Sequence, residues 1–126
     1  MAVSQKRSKR KVTGKPYRNA RKKRLSDLGS DPTLTKIGEN KRNVKRIKGG
    51  HLKYFLLSTD TCNLYDPKYK KFFKAKIESV LENQANPNFV RRNILTKGVV
   101  VKTNKGKAKI TSSPGREGIL NAILVE

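Results

Sequence analysis

The clearest pattern in the chain is an alternation that begins at Phe73. Phe73, Ala75, Ile77, Ser79 and Leu81 fall on one face of an extended strand, and Lys74, Lys76 and Glu78 fall on the other. Such a strand buries one side and wets the other. Tyr65-Asp66-Pro67 marks a turn ahead of it, because proline presets the backbone at a turn's second position and aspartate readily opens one. The run NQANPN at residues 83–88 ends the strand, and Asn86-Pro87 can open a single helical turn over residues 88–92. Downstream, residues 97–103 and 107–111 flank Asn104-Lys105-Gly106 as the arms of a hairpin, with Ala108 and Ile110 alternating with Lys107, Lys109 and Thr111. Pro114-Gly115 and Gly118 bracket a loop before residues 119–125, an apolar, β-rich run that reads as a central or barrel-closing strand. Upstream, Gly49-Gly50 separate residues 43–48 from residues 51–59 as another hairpin, whose first strand Arg46 and Lys48 make strongly charged. About six short strands with turn signals roughly every 8–12 residues predict an all-β fold, a small antiparallel barrel or sandwich with at most one or two short helices.

Before Pro32 the alternation is missing and charge replaces it. Residues 1–24 hold eleven Lys or Arg and no acid. Val3, Val12 and Tyr17 are almost the only bulky apolar side chains there, too few to offset the repulsion, so this stretch is expected to be an extended arm that does not fold alone. Residues 19–28, NARKKRLSDL, admit a short helix with Asn19 as its cap and Gly29 at its stop, basic over most of its surface. The expected division is therefore a basic arm over residues 1–31 and a β-barrel domain over residues 32–126.

The whole chain has 126 residues and a net charge of +22, from 31 basic against 9 acidic residues. That balance implies an acidic partner, nucleic acid first and an anionic membrane surface or glycosaminoglycan far behind. No membrane span is expected, since the longest apolar runs fall far short of about 20 residues. No apolar stretch follows the basic start as a signal peptide requires, which points to the cytoplasm. The single cysteine, Cys62, can form neither an internal disulfide nor a thiolate metal site and is expected to pack.

Catalytic chemistry finds no footing. The closest acids on one expected element are Glu78 and Glu82, an ordinary strand pattern. His51 has no Asp, Cys or Ser constellation around it, and neither a triad nor a metal cluster can be built there. The stretch GVVVKTNKGK at residues 98–107 superficially suggests a nucleotide loop, but its spacing is wrong, and Ala108 stands where a Ser or Thr would hold magnesium. No cofactor, metal or small-molecule substrate is expected, and the chain is read as a non-enzyme.

Three basic groups are the candidate binding residues. The arm contributes Lys6, Arg7, Lys9, Arg10, Lys11, Lys15, Arg18, Arg21, Lys22, Lys23 and Arg24, with Tyr17 placed to stack on an exposed base and Gly14 and Pro16 favouring an extended course. The second group surrounds the double glycine: Arg42, Arg46, Lys48, Gly49, Gly50, His51 and Lys53, together with Lys41 and Lys45. Glycine at the tip lets the backbone approach a phosphate closely. The third is Arg91 and Arg92 beside Phe89, where planar guanidinium forks suit phosphate better than lysines would. Arg92 has a competing use, an ion pair with Glu78 or Glu82. Tyr54 and Phe55 are expected to pack in the core.

Several words of the sequence, taken in order, are also distinctive. RSKRKVTG at 7–14, ARKKR at 20–24, TKIGE at 35–39, the glycine pair at 49–50, VRRNILTKG at 90–98 and SSPGREGILNAILVE at 112–126 resemble small-subunit ribosomal protein eight of the eukaryotic and archaeal type, over essentially the full chain. The short form, without the long eukaryotic insertion, resembles the archaeal branch. This resemblance implies a small β-barrel with an extended basic N-terminal arm in the body of the small (30S) subunit. It also implies small-subunit ribosomal RNA as principal partner, neighbouring ribosomal proteins beside it, a cytoplasmic location in the ribosome, and no catalysis. On composition alone, a general nucleic-acid-compacting protein that coats DNA without a fixed site is the alternative.

Overall fold

In the computed structural model, which describes residues 3–125, the chain divides into two compact units, Met1–Pro32 and Thr33–Glu126. In the first, β1 (Val3–Ser4) and β2 (Leu28–Gly29) form a short antiparallel ribbon with Val3 opposite Gly29 and Ser4 opposite Leu28. The Gln5 N–H donates to the Asp27 carbonyl at 2.8 Å and continues the pairing. The helix expected over residues 19–28 does not form. Only a 3-10 turn, Leu25–Asp27, stands there, entered from an extended Arg24. A helix would have set Arg21 and Arg24 one turn apart, where like charges repel, in a segment with four adjacent cations and no apolar stripe to bury in return.

The extended course expected for the arm is also replaced. The Lys11 N–H donates to the Lys15 carbonyl at 2.9 Å, the Gly14 N–H to the Lys11 carbonyl at 2.9 Å, and the Tyr17 N–H to the Lys9 carbonyl at 3.2 Å. A bridge joins Arg10 and Pro16. Residues 9–17 are thus a tight hairpin loop, and Gly14, at φ +82°, takes the left-handed conformation that lets it close.

The second unit contains β3 (Thr35–Lys36), β4 (Lys41–Arg46), β5 (Leu52–Ser58), β6 (Thr61–Asp66), β7 (Lys71–Glu82), the single-turn α1 (Asn88–Arg91), β8 (Ile94–Leu95), β9 (Val100–Thr103), β10 (Gly106–Ile110) and β11 (Asn121–Leu124). Five of these strands close a barrel in the order β10-β11-β6-β7-β9. Four neighbouring pairs are antiparallel and one, β11 with β6, is parallel. An odd number of strands cannot alternate direction all the way round a ring. One parallel seam is therefore unavoidable, and the apolar run at the chain's end supplies it.

The interior follows from alternation. Cys62, Leu64, Ala75, Ile77, Val80, Val101, Ala108, Ile110 and Ala122 are all buried, and the core cluster contains no charged residue. The small residues Ala75, Ala108 and Ala122 suit the narrow bore of a five-stranded barrel, where bulkier side chains from every strand would collide. Burial holds the Cys62 thiol above its ordinary pKa, consistent with a packing role.

One face assignment differs from expectation. Alternation puts Leu81 on the inner face of β7, yet Val80 is buried and Leu81 exposed. The β7–β9 register shifts between Ile77 and Ser79 and again between Val80 and Glu82. Each bulge inserts a residue, reverses the alternation and bends the strand around the closing barrel. At the end of β7 the buried Asn83 side chain donates to the Ile94 carbonyl at 3.4 Å and accepts from the Thr96 hydroxyl at 3.2 Å and the Ala85 N–H at 3.0 Å. The strand breaker read from sequence is therefore also a tie to β8. In the expected helical turn, the Asn86 side chain accepts from the Asn88 N–H at 3.0 Å.

The remaining strands make a mixed sheet ordered β4-β5-β3-β8. Thr35, fully buried, donates its hydroxyl to the Leu56 carbonyl at 2.7 Å and fastens β3 to β5. Leu56 is the first residue of β5 that is buried; every residue of β4, and Leu52, Lys53 and Tyr54 of β5, face solvent. The outer part of this hairpin is an exposed ribbon outside the core, with Tyr54 lying over Gly118.

Leu64 lies at the centre of the barrel wall, 1% exposed. Leu64→Ala should lower the unfolding free energy by about 2–5 kcal/mol, measured as a fall in the urea midpoint at unchanged slope.

Candidate nucleic-acid interface

In the first unit the cations organise one another through backbone and ring. The Arg7 guanidinium lies 4.2 Å from the centre of the Tyr17 ring, and the Lys11 ammonium 5.5 Å from it. Arg7 also donates to the Arg18 carbonyl at 2.8 Å, and Arg10 to the Gly14 carbonyl at 2.8 Å. The ring's negative face and two backbone carbonyls hold together like charges that would otherwise repel. Tyr17 gathers cations and stays partly exposed. Lys6, Arg7, Lys9, Arg21, Lys22 and Lys23 share the lining of a cavity of about 360 Å³ with Tyr17 and Asp27. Lys15, Arg18 and Arg24 are exposed.

Asp27 is the residue that sequence reading missed. Its carboxylate takes the Arg21 guanidinium at 2.8 Å and the Arg24 N–H at 3.4 Å. The hydrogen bond from Arg21 holds its pKa below the ordinary 3.8, against the opposing effect of burial. The available signal was its position, the first acid after eleven cations.

In the second unit the β4–β5 ribbon sets Arg42 opposite Leu56, Val44 opposite Tyr54 and Arg46 opposite Leu52, and therefore on one face; Lys45 stands opposite Lys53 on the other. Like charges directly opposite one another destabilise a strand pair, an arrangement that an anionic partner relieves. At the tip, Lys48–Gly50 make a 3-10 turn with Gly49 at φ +73° and Gly50 at φ +77°. The His51 ring covers Gly49, where an added Cβ would sit 3.1 Å from it. Tyr54, expected in the core, is about half exposed on the ribbon, with its Cβ 2.8 Å from where a side chain at Gly118 would begin.

Arg91 and Arg92 are exposed at the end of α1, which packs against β7 and β8. The sheet order therefore puts this pair near the β8 edge and the basic ribbon at the β4 edge, so the second and third groups are not brought together. Of the two acids expected as possible partners for Arg92, Glu78 and Glu82, the first meets Lys102 at 3.0 Å.

Among the described residues no group of three or more His, Cys, Asp or Glu is placed to hold a metal, and no helix is long and apolar enough to cross a membrane. Residues 98–107 form a hairpin: Thr103 faces Gly106 across the turn and its hydroxyl donates to the Gly106 carbonyl at 2.8 Å.

Fold and surface together define a class, the small, strongly basic β-barrel protein whose cations are gathered in an N-terminal loop and on a projecting ribbon. Comparison with known proteins makes this specific. The family model for ribosomal protein S8e matches residues 4–125, and the chain belongs to that family. It is 47% identical over 120 residues to the small ribosomal subunit protein eS8 of Nanoarchaeum equitans, covering 95% of this chain and 94% of that one. It is 48% identical over 119 residues to the protein of the same name from Methanosarcina barkeri, covering 94% and 95%. Against the one from Methanobrevibacter smithii it is 44% identical over 125 residues, covering 99% and 100%.

Because the folded pKa of Asp27 lies below its unfolded value, the Arg21 pair stabilises the first unit fully above pH 3.8 and ceases to do so as pH falls through the lowered value. The amide resonances of Gln5 and Arg24 should titrate with a midpoint below 3.8, and Arg21→Gln should move that midpoint up. An unmoved midpoint would count against the pair.

Proposed function

We propose that this chain is a structural constituent of the small ribosomal subunit in the cytoplasm, where it binds and stabilises small-subunit ribosomal RNA through phosphate contacts among neighbouring ribosomal proteins. The observation that carries the reading is the run of eleven cations without an acid in residues 1–24 of a member of the S8e family. That family is structural and non-enzymatic, and relatives covering nearly the whole chain are named for the small ribosomal subunit.

The geometry supports a division of labour. A free arm would lose all its conformational freedom on binding; the loop at residues 9–17 has already lost part of it, so less of the binding free energy goes into ordering. Arg7, Arg10 and Lys11 hold the loop, and Lys9, Lys15, Arg18, Lys22 and Lys23 offer charge around it. On the second unit the ribbon offers Arg42, Arg46, Lys48, His51 and Lys53, and Gly49 and Gly50 let its tip come close to a sugar-phosphate backbone. Arg91 and Arg92 form a separate, smaller contact with fork geometry suited to phosphate.

Neutralising roughly six to ten phosphates releases their counterions, so affinity for small-subunit RNA should fall by about 10³ to 10⁵ between about 50 and 200 mM salt. Deleting residues 2–24 should leave cooperative unfolding of the barrel intact while flattening that salt dependence. An affinity that hardly responds to salt would overturn the phosphate-led mechanism, and lost cooperativity after deletion would make the arm a part of the fold.

A further inference from the structure

One stretch of the barrel's outer wall is aromatic rather than cationic. In the β6–β7 pair Tyr65 stands opposite Phe72 and Asn63 opposite Lys74; in the parallel seam Asn121 lies beside Asn63 and Ile123 beside Tyr65. Leu64 and Ala122, which alternate with these residues, fill the core, so this set faces outward. Phe72 is 76% exposed, and its ring centre lies 4.8 Å from that of Tyr65 with a 39° tilt. Two adjacent phenylalanines in one strand cannot both point inward. Phe73 takes the partly buried side, and Phe72 is left in solvent.

Beside this aromatic pair runs an open cleft of about 700 Å³, with Tyr65, Phe72 and Ile123 as apolar lining, Asn63 and Asn121 as amides, and Lys74 as its cation. Asn63 donates to the Asn121 side-chain oxygen at 3.1 Å, a single bond that leaves each amide with further donor and acceptor capacity. Lys109, opposite Ile123 on β10, adds a second charge at the same side of the wall. No acid lines the cleft.

We propose that this cleft binds an unpaired nucleotide of an RNA strand: the base stacks on the Phe72–Tyr65 pair, its polar edge meets the Asn63 and Asn121 amides, and its phosphate meets Lys74 and Lys109. The occupant follows from chemistry on the page. Flat aromatic faces with amides at their edge match a base, which has a π face and a rim of donors and acceptors. The lysine rim without acids selects an anionic occupant. A double helix keeps its bases inside and presents none of this, so the strand must be single there. The proposal rests on the ribosomal RNA reading and adds a mode of contact that salt does not dissolve.

The test uses the full chain with two probes of equal length, a single-stranded RNA carrying 2-aminopurine and a blunt RNA duplex, at about 200 mM salt where phosphate contacts are weakened. Phe72→Leu keeps apolar area and removes the stacking face; its exposure makes it harmless to the fold, which thermal unfolding verifies, and Tyr65→Leu serves as a second variant. Each should weaken single-strand binding by about fivefold or more and relieve 2-aminopurine quenching, with duplex affinity within about twofold of the parent. Unchanged single-strand binding in both variants overturns the proposal. Equal loss on both probes overturns it as well. Failure of the phosphate-led reading would look different, as duplex binding by the parent chain that does not depend on salt.

Discussion

Five strands cannot alternate direction around a closed ring, and the parallel pairing of β6 with β11 is the constraint on which the second unit depends. Asn121 beside Asn63, Ala122 beside Leu64 and Ile123 beside Tyr65 shut the barrel, and with it the core of Leu64, Ile77, Val101 and Ile110. Closure also removes the free edges of β6 and β11, which would otherwise offer unpaired N–H and C=O groups to other chains. The side chains on the inner face are uncharged, alanines set among larger aliphatics; those on the outer face carry the chemistry. The seam thus fixes which residues are wall and which are surface, and the cleft beside Tyr65 exists because it is drawn there.

The second constraint is charge. A chain with a net charge of +22 must place its cations where they do not unravel it. Three solutions are visible. Some cations meet acids, as Lys102 meets Glu78 at 3.0 Å and Arg21 meets Asp27 at 2.8 Å. Others meet rings, as Arg7 meets Tyr17 and Lys105 meets Phe73 at 3.9 Å. Many others stand exposed on the N-terminal loop, on the β4–β5 ribbon and on the outer faces of the barrel strands, where they contribute little to any core. The Lys45–Lys53 pairing on the ribbon is tolerated because hydrogen bonds and the Val44–Tyr54 pair hold the strands. It is the sort of local conflict expected where a surface serves a partner rather than the fold.

The barrel was legible in the sequence because alternation with period two is a direct image of wall geometry. The turns at Asp66-Pro67, Gly49-Gly50 and Asn104-Lys105-Gly106, and the single helical turn after Pro87, could be read for the same reason: each rests on a residue with a local backbone preference. Three features were not. The reversal at Leu81 arises from bulges set by pairing with β9, a long-range register that local alternation does not encode. The missing helix at residues 19–28 shows composition outvoted by context: Arg21, Lys22, Lys23 and Arg24 are good helix formers singly, but a helix there has no apolar stripe to bury and sets Arg21 against Arg24 one turn away. The loop at residues 9–17 depends on Arg7 reaching Tyr17, a contact between residues ten apart in a stretch where charge alone suggested an extended chain. Of the candidate binding residues, sequence identified the clusters but not their company: it could not say that Arg42 and Arg46 share a face with Tyr54, or that Arg91 and Arg92 stand near the opposite edge of the sheet.

The central claim is that the loop and ribbon cations meet ribosomal RNA phosphates. Lysine reactivity tests it most directly, by comparing acylation of the free protein with that of the protein in assembled small subunits, residue by residue in a mass spectrometer. The account predicts that Lys9, Lys11, Lys15 and Lys53 lose most of their reactivity on assembly, while Lys102, already paired with Glu78, changes least. Loop and ribbon lysines as reactive in the subunit as in solution would contradict it.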